Sequence, residues 1–293
     1  MNWLKYWWLY GLVSGVIIFA GGFSLVKWGL VPAVDFTGGS LAEYQFKEKD
    51  VGGDEIRKVI EESGLEVQSV QKTGEKRFAV KMALKDENKT SGLPELMEGV
   101  LGEKPDQLAI SSVGPAIGEE LLRKTVYAIL LAAGGILVWV AVRFGSFKYG
   151  VAAVLAMFHD SLVLLGGFSL LGHFAKVEVD GLFVTAMLTT LSFSVHDTIV
   201  VYDRIRELKR LNMKESLYDL ANMAFTETMV RSVNNSLTIV FMLAALALLG
   251  GETVRWFVVA LLIGTVTGTY SSPFVATPLV LMWNNLQERL GKR

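Results

Sequence analysis

Apolar residues along the 293-residue chain follow two different patterns. Six long runs, near residues 7–26, 126–142, 150–171, 182–202, 233–249 and 256–283, match the length of about 20 residues that a helix needs to cross a bilayer. Between the first and second runs the pattern shortens. Residues 41–46, 66–72, 77–84 and 107–113 read as strands. The signal is plainest in 77–84, where Phe78, Val80, Met82 and Leu84 alternate. Residues 54–62 read as a helix with Ile56, Val59 and Ile60 on one face and Ser63-Gly64 as its stop, and 94–101 as a second helix behind Ser91-Gly92. The order βαββαβ suggests a ferredoxin-like sandwich, with both helices on one face of a four-stranded sheet. The expected fold is therefore a polytopic α-helical membrane protein of six transmembrane helices. One extracytoplasmic α+β ferredoxin-like domain lies between helices 1 and 2. The expected division is a transmembrane helix in 1–30, the ferredoxin-like domain in 31–122, and a five-helix domain in 123–293 with a cytoplasmic loop at 203–232. Lys5 and the length of the first run favour an uncleaved anchor over a signal peptide. Pro273 and Pro278 should kink or shorten the last span.

Charge adds an orientation. One set of short loops and the C-terminus carries Arg143, Lys148, Arg204, Arg206, Lys209, Arg210, Lys214, Arg289, Lys292 and Arg293, while the opposite set carries Lys27, Lys176 and Arg255. The positive-inside rule then places both termini in the cytoplasm and residues 31–122 outside. All seven tryptophans fall near proposed span ends, at the depth of an interfacial belt. A formal net charge of −1 gives no general attraction to nucleic acid, and the absence of cysteine excludes disulfides and thiolate chemistry.

The candidate chemistry lies inside the spans, where an ionisable residue is expensive and points to function. His196-Asp197 sits in the fourth run, and Thr190, Ser194 and Asp197 share one stripe of its helix. Arg231, Asn234, Asn235 and Thr238 form a polar stripe on the next span. Antiparallel neighbours would bring Arg231 to the depth of Asp197, giving a carboxylate whose protonation depends on the distance of a guanidinium. The alternative is a static ion pair or a topological anchor. His159-Asp160 repeats the motif one span earlier and suits a hydrogen-bonded relay. Adjacent helical residues diverge by about 100°, so the two pairs make a poor metal site and no metal is expected. Gly264 and Gly268 read as a helix-packing pair. His173 reads as interfacial. No metalloprotease, serine-hydrolase or P-loop motif is present, so no catalytic residue and no cofactor other than a coupling proton is expected.

Six ordered motifs carry a resemblance: Val34-Asp35-Phe36-Thr37-Gly38-Gly39-Ser40, Ser112-Val113-Gly114-Pro115 with Gly118-Glu119-Glu120-Leu121, Phe158-His159-Asp160, the run from Asp197 to Glu207, Asn235-Ser236-Leu237-Thr238, and Gly268-Thr269-Tyr270-Ser271-Ser272. On these the chain resembles the SecF family, the smaller membrane subunits of the bacterial SecD–SecF complex, within the resistance-nodulation-division superfamily. The resemblance implies a multi-pass protein of the cytoplasmic (inner) membrane that pairs with a SecD-like subunit. It also implies that proton flow drives external domains that help draw preproteins from the SecYEG channel. The family's relay carboxylate and coupled arginine correspond to Asp197 and Arg231. His196 stands where the family usually has asparagine, and either joins the relay or replaces the amide as a neutral hydrogen-bonding group. Two other readings are a proton-coupled small-molecule exporter of the same superfamily and a purely structural membrane partner.

Overall fold

The computed structural model describes residues 2–49, 51–83, 92–211 and 214–291, so Leu84, Ser91, Lys292 and Arg293 lie outside the described residues. The chain forms two compact units, Met1–Val31 with Tyr127–Arg293, and Pro32–Val126. Helix α1 (Trp7–Lys27) opens the first unit. The second follows as β1 (Gly39–Gln45), α2 (Gly53–Glu62), β2 (Val67–Gly74), β3 (Arg77–Met82), α3 (Leu93–Leu101) and β4 (Asp106–Val113). Its strands form one sheet in the order β2-β3-β1-β4, and every neighbouring pair is antiparallel.

The two-residue period of the strands decides which side chains enter this core. Ala42 lies opposite Val80 and Tyr44 opposite Phe78, and all four are buried with Ile56, Val59 and Ile60 of α2 and Leu93 and Met97 of α3. Each fully buried side chain of this size contributes about 1.5–3 kcal/mol of transfer free energy. Lys81 is only 6% exposed, and its Nζ donates to the Pro32 carbonyl at 2.7 Å. Two glycine-bearing motifs pack together here. A Cβ on Gly118 would lie 2.8 Å from the Phe36 carbonyl oxygen, and one on Gly39 (φ +129°) 2.7 Å from that of Met82.

Helix α4 (Pro115–Phe144) starts in the second unit and belongs to the first from Tyr127 on, and the first unit continues with α5 (Phe147–Ala175), α6 (Gly181–Leu211), α7 (Leu217–Leu249), α8 (Glu252–Ser271) and α9 (Thr277–Gly291). Among the described residues six helical segments are long and apolar enough to span a membrane, with α8 and α9 forming one of them. They are joined by a π-helical turn at Ser272–Ala276 that contains Pro273, one of the prolines expected to break the span. Within 203–232, expected as a loop, α6 continues to Leu211 and α7 starts at Leu217. Hydropathy marks where a helix leaves the bilayer, whereas capping decides where it ends. Here the Ser216 hydroxyl accepts the Asp219 amide at 3.1 Å to start α7. Arg204 also pairs with Glu207 at 2.5 Å and with Glu227, tying α6 to α7.

Small residues set the closest helix contacts. Gly21 of α1 and Gly166 of α5 touch backbone to backbone, and one turn away Ser24 and Ser169 share a 2.7 Å hydrogen bond. A Cβ on Gly264 would collide with the Thr190 side chain, and one on Gly268 would lie 3.0 Å from the Ser194 Cβ. Near its start α5 is tied to α9, with Lys148 Nζ donating to Asn284 Oδ1 at 2.8 Å.

Candidate functional site

Two buried carboxylates, Asp160 and Asp197, lie among the polar residues that α5, α6, α7 and α8 turn toward one another. Asp160 on α5 is 5% exposed and enclosed by donors. Its Oδ2 accepts the hydroxyls of Ser194 at 2.5 Å and Ser271 at 2.7 Å, and its Oδ1 lies 3.0 Å from His159 Nδ1. The site exists because Gly264 and Gly268 let α8 approach α6, bringing Ser271 beside Ser194. Thr190, the third member of the α6 stripe, bonds its own helix through the Met187 carbonyl at 2.9 Å and forms the surface that Gly264 meets. Ser272 adds a second tie, donating to the Ser194 carbonyl at 3.0 Å, with Thr198 Oγ1 2.9 Å away. His159 Nε2 is buried without a partner among the described residues.

Asp197 is 9% exposed and more sparsely bonded. Ser232 of α7 donates to its Oδ1 at 3.4 Å, a long hydrogen bond. A cavity of ≈ 20 Å³ adjoins it, lined by His196, Asn235, Ser236 and Thr269 among others, with room for about one water. Thr269 Oγ1 bonds Ser236 at 2.6 Å and closes the α8 side.

Arg231 does not meet Asp197. It is exposed and lines a cleft of ≈ 510 Å³ with Asp203, Arg204, Glu207, Glu227 and Thr228. Asn234, Asn235 and Thr238 are exposed with it, and Thr238 bonds only the Asn234 carbonyl, at 2.9 Å. The face that α7 buries is instead Thr228, Ser232 and Ser236, a four-residue repeat of small hydroxyls. That repeat was visible in the sequence, but the bulkier polar residues beside it drew the reading. His196 is exposed next to buried Asp197. Among the described residues the two His-Asp pairs form no joint group that could hold a metal ion. His173 stacks on Trp28 with centroids 4.0 Å apart.

Residues 96–286 match the family model "Protein export membrane protein SecD/SecF, C-terminal". The protein translocase subunit SecF of Thermobaculum terrenum is 41% identical over 289 residues, covering 94% of this chain and 91% of that protein. SecF of Anaerolinea thermophila is 35% identical, with 94% and 92% covered. The crystal structure of SecDF from Thermus thermophilus superposes with a TM-score of 0.86 at 33% identity, over 97% of this chain and 39% of that one. A second SecDF structure, in a super-membrane-facing form, gives 0.72. The chain thus spans 39% of the SecDF polypeptide and nearly the whole length of the SecF subunits. Both the sequence match and the superposition place this chain in the SecD/SecF family of protein export membrane proteins.

Proposed function

We propose that the chain is the auxiliary SecF-type subunit of a Sec translocase, in which proton exchange at Asp197 drives movement that promotes protein export. The observation that carries this reading is the contrast between the two carboxylates. A group that repeatedly takes up and releases a proton needs a path to water and an oxygen that is not locked. Asp160 has three close partners, whereas Asp197 has one long hydrogen bond and an adjoining cavity with room for a water. Asp160 and His159 then act as a fixed buried polar anchor behind the exchanging site.

Arg231 immediately precedes Ser232 on α7, so a rotation of α7 by about 100° exchanges the two residues at Asp197. In this reading the coupled switch alternates a hydroxyl and a guanidinium opposite the carboxylate. One proton crossing ~100 mV releases ~2.3 kcal/mol. Reversing a two-state equilibrium from 1:99 to 99:1 takes ~5.5 kcal/mol, so about three protons per cycle suffice.

The exposed Arg231, Asn234, Asn235, Thr238 and His196 support a partner in the membrane. Polar side chains on a spanning helix avoid lipid, so this face is assigned to a SecD-like subunit, as the continuous SecDF chain of Thermus thermophilus suggests. The sheet unit, with the strand order of a ferredoxin-like sandwich, is assigned to the extracytoplasmic side. There it would act on preprotein leaving SecYEG, with both termini in the cytoplasm of the inner membrane. The test is Asp197→Asn in the assembled complex. Export stimulation and proton conductance should both fall while membrane abundance is unchanged. Export continuing at the wild-type rate would reduce the chain to a structural partner.

A further inference from the structure

The C-terminal ends of α4 and α6 meet at a pocket of ≈ 300 Å³ lined by Arg143, Asp203, Arg206, Glu207 and Arg210. Its two carboxylates are already engaged, Asp203 with Arg143 at 3.1 Å and Glu207 with Arg204 at 2.5 Å. Arg206 uses one N–H on the main-chain carbonyl of Arg143, at 2.6 Å. That carbonyl belongs to the last turn of α4, which Gly145 (φ +62°) closes, with the Ser146 amide bonded back to the Ala141 carbonyl at 3.2 Å. Capping fixes Arg206 at the pocket and leaves most of its five donors unused. Arg210 lies one turn further along α6 and has no carboxylate partner among the described residues. Two guanidinium groups therefore face a pocket whose acids are spoken for.

Depth identifies what fits. The apolar run of α4 ends at Arg143 and that of α6 at Asp203, so the pocket lies where phospholipid headgroups lie. Trp139, one turn before Arg143 on the same face of α4, is 62% exposed, and Val142 is 75% exposed. An aromatic ring and an apolar strip thus run from the pocket toward the bilayer interior. Arginines that only set topology require neither a capped guanidinium, nor a pocket, nor this apolar outlet.

We propose that the pocket binds the phosphate of an anionic phospholipid. Arg206 and Arg210 take the phosphate oxygens through their planar forks, and the acyl chains lie along α4 beside Trp139 and Val142. A soluble phosphate would satisfy the arginines but would leave the apolar strip unused.

Native mass spectrometry of the full chain in detergent, titrated with phosphatidylglycerol or phosphatidylcholine, tests this. Phosphatidylglycerol should be retained preferentially. Arg210→Gln, which breaks no contact described above, should lower that retention about fivefold and leave phosphatidylcholine unchanged. Equal retention by wild type and Arg210→Gln overturns the site. Displacement of the lipid by inorganic phosphate overturns the lipid as occupant. Brominated phosphatidylglycerol should also quench a fluorescence component that Trp139→Phe removes, and absence of that difference refutes the acyl placement. Arg206→Gln is a poorer probe, because it also uncaps α4.

Discussion

Replacing Gly166 by alanine should loosen α1 from the rest of the membrane unit. A Cβ at Gly166 would stand 2.5 Å from the Gly21 Cα and 3.0 Å from its carbonyl carbon, against 3.4–4 Å for ordinary contact. Both obstacles are backbone atoms, so no rotamer change relieves them and the helices must separate by about 1 Å. Ser24 and Ser169, bonded at 2.7 Å one turn away, would then lie beyond hydrogen-bond reach. Overpacking costs about 1–3 kcal/mol, and the lost interhelical hydrogen bond about 0.6–1.7 kcal/mol. Alanine returns up to about 1 kcal/mol in helix propensity, for a net loss near 1–3 kcal/mol. At about 2–4 °C per kcal/mol, thermal unfolding of the purified chain, followed by tryptophan fluorescence, should drop by roughly 3–10 °C. Gly167→Ala is the control, since its Cβ meets only Ile263 Cδ1 at 4.0 Å. It should unfold at or slightly above the wild-type temperature. If Gly166→Ala matched Gly167→Ala, the backbone contact would not be what holds α1 to α5.

The Tyr44 hydroxyl is buried without a partner among the described residues, and burial pushes its pKa up to about 12, so Tyr44→Phe should leave the sheet unit equally stable or up to about 1–3 kcal/mol more stable in denaturant unfolding. A clear loss would mean that the hydroxyl has a partner. Glu103 accepts the amides of Lys47, Glu48 and Lys49 at 2.5–2.9 Å, and these hold its carboxyl below the usual range. Its contribution is therefore complete above the unfolded value of about 4.3 and disappears as pH falls through the lower folded value. Hydrogen exchange at residues 47–49 should show protection that disappears over that interval, and Glu103→Gln should weaken it at every pH. Acid-independent protection would contradict this. Ser271→Ala removes a 2.7 Å donor from Asp160 and should lower the stability of the chain by about 1–3 kcal/mol. Thr238→Ala, on the exposed face of α7, should leave the chain's own unfolding unchanged and weaken copurification with a SecD-like subunit. The reverse pattern would exchange the roles given to the two faces.

The six spans and the strand-helix alternation were legible because each rests on a local period. Helix ends were not, since α4, α6 and α7 all run past their apolar segments into charged sequence that still favours helix. The α6 stripe of Thr190, Ser194 and Asp197 is buried within this chain, whereas the α7 stripe of Arg231, Asn234, Asn235 and Thr238 is exposed. The rule that polar residues on a spanning helix turn inward holds for the complete assembly. Within this single chain Arg231, Asn234 and Thr238 are exposed instead. Hydroxyls as small as those of Ser232 and Ser236 carry too weak a hydropathy signal to compete with that pattern. The cage around Asp160 was out of reach for another reason: Ser194 and Ser271 are 77 positions apart and meet only because Gly264 and Gly268 admit close packing.

The widened turn at Ser272–Ala276 has a consequence for how this segment can change in evolution. Ser271 and Ser272 are consecutive, yet one reaches Asp160 and the other the Ser194 carbonyl, while Thr277 Oγ1 closes the turn on the Ser272 carbonyl at 3.2 Å. A π turn holds one residue more than an α turn. Deleting one residue from 273–276 would let the segment rewind as regular α-helix and leave α9 close to its present phase, with Asn284 still near Lys148. The segment thus absorbs one surplus residue between α8 and α9, so loss of a single residue there should be tolerated far better than insertion of another.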